Sequence, residues 1–181
     1  MTVLMHIKSV TIFSLIFLPV IAISRKLLFK NNNSDNKREL LIIIFALYIA
    51  CVYSQTIIPY SYLSGDFTQN CFHLPSPGDF LFSPGKTFFW YWELSRSSNY
   101  NAFWVNVIGN VLIFIPFGLL LPYLLKSKYK LTVLYGFLFS VSIEFLQLFS
   151  NRTSELADII FNTLGVSIGF IIYLLLKKKQ Q

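Results

Sequence analysis

The chain has 181 residues, of which 55% are hydrophobic and only 13% charged, and a formal net charge of +7. One small soluble core cannot absorb that much apolar side chain, whereas a bilayer can, so the length is read as membrane spans rather than as a soluble domain. The basic residues sit in short groups beside long apolar runs, which argues against a nucleic-acid face and for membrane orientation.

The first apolar run, Ser9–Leu28, is bracketed by Lys8 and Arg25 and interrupted by Pro19. Ala22-Ile23-Ser24 would serve as a signal-peptide cleavage site, but Arg25 and Lys26 follow at once, and basic residues just after an apolar run resist export. An uncleaved span is the expectation. Leu40–Tyr60 forms the second span, so residues 1–60 hold two N-terminal helices. Cys51 lies inside an apolar run and Cys71 in a polar loop, which predicts no disulfide between them. Nothing has zinc-site spacing, and no metal is assigned.

Residues 61–102 form one large external loop carrying eleven aromatics, Trp90 and Trp92 among them. Thr87–Arg96 reads as a short interfacial helix with its rings at headgroup depth. It is either an aromatic belt or a lid or binding platform over the helix bundle. Upstream, Pro75, Pro77, Gly78, Pro84 and Gly85 predict turns rather than regular structure. His73 stands alone and is read as a loop residue.

Phe103–Leu125, Leu131–Phe149 and Leu156–Leu176 complete the set, each near the ~20 residues needed to cross a ~30 Å hydrocarbon core. The expected fold is all-α: a polytopic integral membrane helical bundle of five transmembrane helices with the aromatic-rich loop outside. Residues 103–176 are its three-helix core and 177–181 a basic tail. Arg25, Lys26, Lys30, Lys37, Arg38, Lys126, Lys128, Lys130, Lys177, Lys178 and Lys179 then all fall on one side, leaving Lys8, Lys86, Arg96 and Arg152 on the other. The positive-inside rule puts the N-terminus outside and the C-terminus in the cytoplasm.

Polar residues inside spans are informative because each costs free energy and usually has a partner. The third span places Asn106 and Asn110 four apart in its outer half. The fourth places Ser140, Glu144 and Gln147 on one face, with Glu144 roughly 8 Å from its outer end. The fifth carries Asp158 and Asn162 in its first turns, just after Arg152 and Glu155. The turn Ser150–Glu155 is short, so the fourth and fifth helices are antiparallel neighbours whose polar faces can meet. Glu144 and Asp158 are expected to bond to Asn and Gln side chains, pair with Arg152, or take up a proton. The cluster is either structural glue between helices or a pocket open to the outer side. Gly165 and Gly169 continue the face of Asp158 and Asn162 and allow close helix contact, within the bundle or between two copies. Pro116, with Gly118 beside it, is expected to kink the third span.

At these residues the chain resembles the VanZ-like family. Asn110-Val-Leu-Ile-Phe-Ile-Pro-Phe-Gly-Leu-Leu-Leu-Pro122 is similar to its third-span signature. Glu144-Phe-Leu-Gln147 is similar to its Glu-x-x-Gln segment, and Arg152 with Glu155 to Gly165 to its acidic turn and Asp-x-x-x-Asn-x-x-Gly helix. The chain departs from the family at Glu155, where Asp is usual, and at Ala157, where a further acid is frequent. It departs again in the outer loop, where Leu81 replaces an Asn ahead of Pro84-Gly85-Lys86-Thr87. The first two spans carry no separate signature. The resemblance implies a multi-pass protein of a bacterial cell membrane, in a family whose founding member is associated with low-level teicoplanin resistance.

Two functions from different classes remain. One is a non-enzymatic membrane factor that binds, or alters the exposure of, a lipid-linked envelope component at the outer leaflet. Its partners would be membrane lipids and a lipid-linked cell-wall precursor or lipoglycopeptide. The other is an enzyme acting on a lipid headgroup or isoprenoid-linked substrate, with Glu144 or Asp158 as general base. The sequence shows no nucleophile beside a base, no metal-ligand set and no phosphate loop, so no catalytic residue and no cofactor is assigned.

Overall fold

The computed structural model describes residues 36–57, 74, 80–81, 100–150 and 154–179 together with Thr11, Leu15 and Pro19, and only the backbone of residues 36, 80–81 and 100–106. The chain divides into two units, Met1–Phe72 and His73–Gln181.

In the first unit, helix α1 spans Asn36–Ile57, with Glu39 in its first turn at the positive end of the helix dipole. Ala46, Ala50 and Ser54 recur every fourth residue and are buried, as is Val52. The Ser54 and Thr56 hydroxyls donate to the carbonyls of Cys51 and Val52, each at 2.8 Å, so neither needs water inside the apolar run. Thr11, Leu15 and Pro19 are helical. The rest of the expected first span lies outside the described residues.

The second unit is built on three helices, α2 (Tyr100–Leu125), α3 (Tyr129–Gln147) and α4 (Leu156–Lys178). The shortest has 19 residues, about 28 Å at the helical rise, close to the thickness of a hydrocarbon core. With α1, four helices are long and apolar enough to cross a membrane, and no more than 33% of any of their apolar windows is buried within the chain. The remaining apolar surface needs lipid. The distribution of polarity agrees, because it inverts that of a soluble protein. Thr132, Ser140, Glu144, Gln147 and Asn162 are buried, while Leu138, Phe145, Leu164 and Ile171 are exposed. The chain is therefore a multi-pass, all-α membrane protein.

Packing within this unit is decided by glycine. A Cβ at Gly165 would collide with the carbonyl oxygen of Val111, one at Gly169 with that of Ile115, and one at Gly118 with that of Val166. Helices α2 and α4 thus touch backbone to backbone, which apolar solvent cannot enforce and small residues permit. Helix α3 joins them where Gly136 receives the Val166 side chain. Phe139 stacks on Phe117 at 5.2 Å and tilts against Phe114 at 5.5 Å. Helix α2 continues through Pro116 and Pro122.

The loop departs from expectation at one place. Phe80–Leu81 forms a short strand, β1, which pairs in parallel with β2, Ser154–Glu155, with Phe80 opposite Ser154 and Leu81 opposite Glu155. Phe80-Leu81 lies between the Gly and Pro residues that predict turns, and this apolar pair meets the backbone edge that β2 offers. The expected interfacial helix at residues 87–96 lies outside the described residues.

Candidate functional site

The site is assembled at the end of the core where α3 finishes and α4 starts. Ser140, Glu144 and Gln147 share one face of α3, as 3.6-residue periodicity requires, and are 0%, 2% and 8% exposed. Opposite them, α4 opens with Glu155 at its N-cap and carries Asp158 in its first turn and Asn162 one turn deeper.

Glu144 is the centre. Its Oε2 accepts a hydrogen bond from the Ser154 hydroxyl at 2.9 Å and another from the Glu155 backbone N–H at 2.8 Å. Glu155 makes no side-chain cap of its own, so the carboxylate from α3 serves the start of α4 and sits at the positive end of that helix dipole. This arrangement accounts for a buried carboxylate inside a span: one hydroxyl, one backbone donor and a helix N-terminus replace water. The expected Asn and Gln partners of Glu144 are thus replaced by Ser154 and a backbone amide. Ser154 is fully buried, and the sequence marks it only as a hydroxyl beside the acidic turn. Through the Glu155 N–H, Glu144 also fixes β2, and through β2 the paired strand β1.

Asp158 accepts a bond from the Asn110 side-chain amide at 2.7 Å, which ties α2 to α4. The Asn162 amide donates to Ser140 Oγ at 2.9 Å, which ties α4 to α3. The structure therefore joins Asn110 to Asp158, Glu144 to Glu155 and Asn162 to Ser140 at one end of the core. Gln147 lies buried one turn beyond Glu144. The Asn106 side chain and all of Arg152 lie outside the described residues, so their expected places in the cluster are untested.

Chemically the site is rich in acceptors. Both bonds to Glu144 fall on Oε2, and its Oε1 accepts none from the described residues. Asn162 is 4% exposed, and its Oδ1 has no hydrogen-bond partner among the described residues. Among those residues no group of three or more His, Cys, Asp and Glu is placed to hold a metal ion. A hydroxyl does stand beside a carboxylate at Ser154 and Glu144, a pair the sequence does not reveal. In the structure that hydroxyl donates to Glu144 Oε2 and so ties the start of α4 to α3.

A protein-family model described as VanZ/LLP1 matches residues 9–177. The chain belongs to the VanZ/LLP1 family. The match covers most of the N-terminal 60 residues, for which the motifs alone give no signature, as well as the three-helix core. Curated proteins and solved structures give no match. Within this VanZ/LLP1 chain, the Asn of the signature on α2 and the Asp of the motif on α4 are the two ends of one hydrogen bond, Asn110 to Asp158. The loop-motif position held by Leu81 lies on the strand paired with Glu155, so the loop departure falls directly beside the cluster.

The Asn110–Asp158 bond gives a direct test of the geometry. Asn110→Ala and Asp158→Ala should each lower thermal stability in detergent, and the double variant should lose less than the sum, with a coupling on the order of 1–2 kcal/mol. Strict additivity would mean that the two side chains do not bond in the membrane protein.

Proposed function

We propose that this protein is a five-span, non-enzymatic factor of the bacterial envelope. Its cluster around Glu144 binds a donor-bearing group of a lipid-linked envelope component at the outer leaflet and so reduces the action of teicoplanin-type lipoglycopeptides. One observation carries the reading: a carboxylate buried inside a span uses one oxygen to hold the fold and leaves the other without a donor among the described residues. Glue alone needs no open acceptor in so costly a place. An acceptor-rich site takes donors, such as sugar hydroxyls or peptide amides and amines on a wall precursor. Strand β1 pairs with β2 beside the cluster, which supports reading the segment around it as a wall or lid of the site. The experiment compares Glu144→Gln with Glu144→Ala in cells and reads drug susceptibility against the amount of protein in the membrane. A glutamine variant that is abundant but gives no protection supports a binding site.

The five-span orientation is part of the same proposal. It places the lysines around the α2–α3 turn and at the end of α4 in the cytoplasm, and the Glu144 cluster at the opposite, outer end. A reporter active only outside the cytoplasm, fused after Gln181, should be silent. Activity there would invert the orientation and move the cluster to the inner leaflet.

A further inference from the structure

At the end of the core away from Glu144, the C-terminal ends of α2 and α4 and the turn leading into α3 line an open cavity of about 510 Å³. Its lining has two characters. Lys126, Lys128 and Lys177 supply three positive charges, and Tyr123, Phe170 and Tyr173 supply an aromatic wall. The rings are ordered against one another, with Tyr123 edge-on to Tyr173 at 4.7 Å and Phe170 at 5.7 Å from Tyr173. No acidic side chain is among the lining residues.

Two local features strengthen the positive field. Lys128 is the N-cap of α3 and makes no side-chain cap, so the first N–H groups of that helix have no such acceptor. Lys126 adopts φ 51°, the left-handed region that a non-glycine residue enters at a cost of about 1 kcal/mol or more. A glycine would close this turn more cheaply, yet a lysine stands where its charge borders the cavity.

We propose that this cavity is a binding site for an anionic phospholipid. Its phosphate would lie among Lys126, Lys128 and Lys177 and its upper acyl chain against Tyr123, Phe170 and Tyr173. Charge complementarity selects an anion, and the apolar wall beside the lysines selects a lipid over a free phosphate. The position fits, because the cavity lies where two apolar helices end and a third begins, at headgroup depth. The lipid would hold the ends of α2 and α4 together and is independent of the outer cluster.

The test uses the full-length protein in a neutral detergent and native mass spectrometry. Phosphatidylglycerol, phosphatidylcholine and glycerol phosphate are added separately at equal concentration. The intact protein should retain phosphatidylglycerol at least about tenfold more than phosphatidylcholine, and glycerol phosphate should not displace it. Replacing Lys126, Lys128 and Lys177 together with glutamine should remove that preference. Replacing Lys130, Lys178 and Lys179, which remove the same charge outside the lining, should keep it. Equal retention of the two lipids by the unmutated protein would overturn the proposal without any variant. Displacement by glycerol phosphate, or equal loss in both triple variants, would overturn it too, the first in favour of a soluble phosphate and the second in favour of diffuse surface charge.

Discussion

Replacing Gly165 and Gly169 together with alanine should remove most of the folded protein from the membrane. Each added methyl would meet backbone, the carbonyl oxygens of Val111 and Ile115, rather than the movable end of a side chain. Backbone in a continuous helix cannot step aside, so α2 and α4 must separate along their length. Overpacking of this kind costs about 1–3 kcal/mol per site. In a bilayer no hydrophobic force presses the separated helices back together. Gly109→Ala is the control, because a Cβ there meets nothing within 4 Å. That change should be neutral or slightly stabilising, since alanine favours a helix over glycine by about 1 kcal/mol. Membrane abundance and melting temperature in detergent measure both. Equal values for the double variant and the Gly109 control would show that α2 and α4 do not meet through these glycines.

The helices were largely legible because composition and periodicity act locally. The run from Leu156 stays mostly apolar despite Asp158, Asn162, Thr163 and Ser167, and α4 extends past the expected Leu176 to Lys178 because lysines suit the last turn of a helix. The common face of Ser140, Glu144 and Gln147 follows from spacing alone, as does that of Asp158, Asn162, Gly165 and Gly169. The contacts between faces do not. Nothing in the sequence says that Glu144 will take a backbone amide and Ser154 rather than an amide side chain, because those donors depend on how the 150–155 turn lies over α3. Strand β1 has two residues and no period, and its partner lies far along the chain. The lysine cavity was equally hidden. Lys126 and Lys128 read as an orientation signal, and only tertiary packing brings Lys177 to them.

Glu144→Ala should have the second large effect. It removes the acceptor of the Ser154 hydroxyl and of the Glu155 N–H together. Ser154 is fully buried, so its orphaned hydroxyl alone costs about 1–3 kcal/mol. The start of α4 and the β1–β2 pairing both loosen, and membrane abundance should fall several-fold. Glu144→Gln is different. Its one amide oxygen has two lone pairs and can accept both bonds that Oε2 now accepts, so the fold is kept. What changes is the other half of the group: an oxygen with no donor among the described residues becomes an NH2 donor, and the carboxyl group is lost. A ligand that brings a donor then meets a donor.

The most direct measurement is therefore teicoplanin susceptibility of cells carrying Glu144→Gln, normalised to the protein present in the membrane. A binding site at Glu144 predicts near-normal abundance with protection lost. Near-normal abundance with protection intact, alongside a Glu144→Ala variant whose activity falls only in proportion to its amount, would contradict it and leave Glu144 as an anchor of the fold.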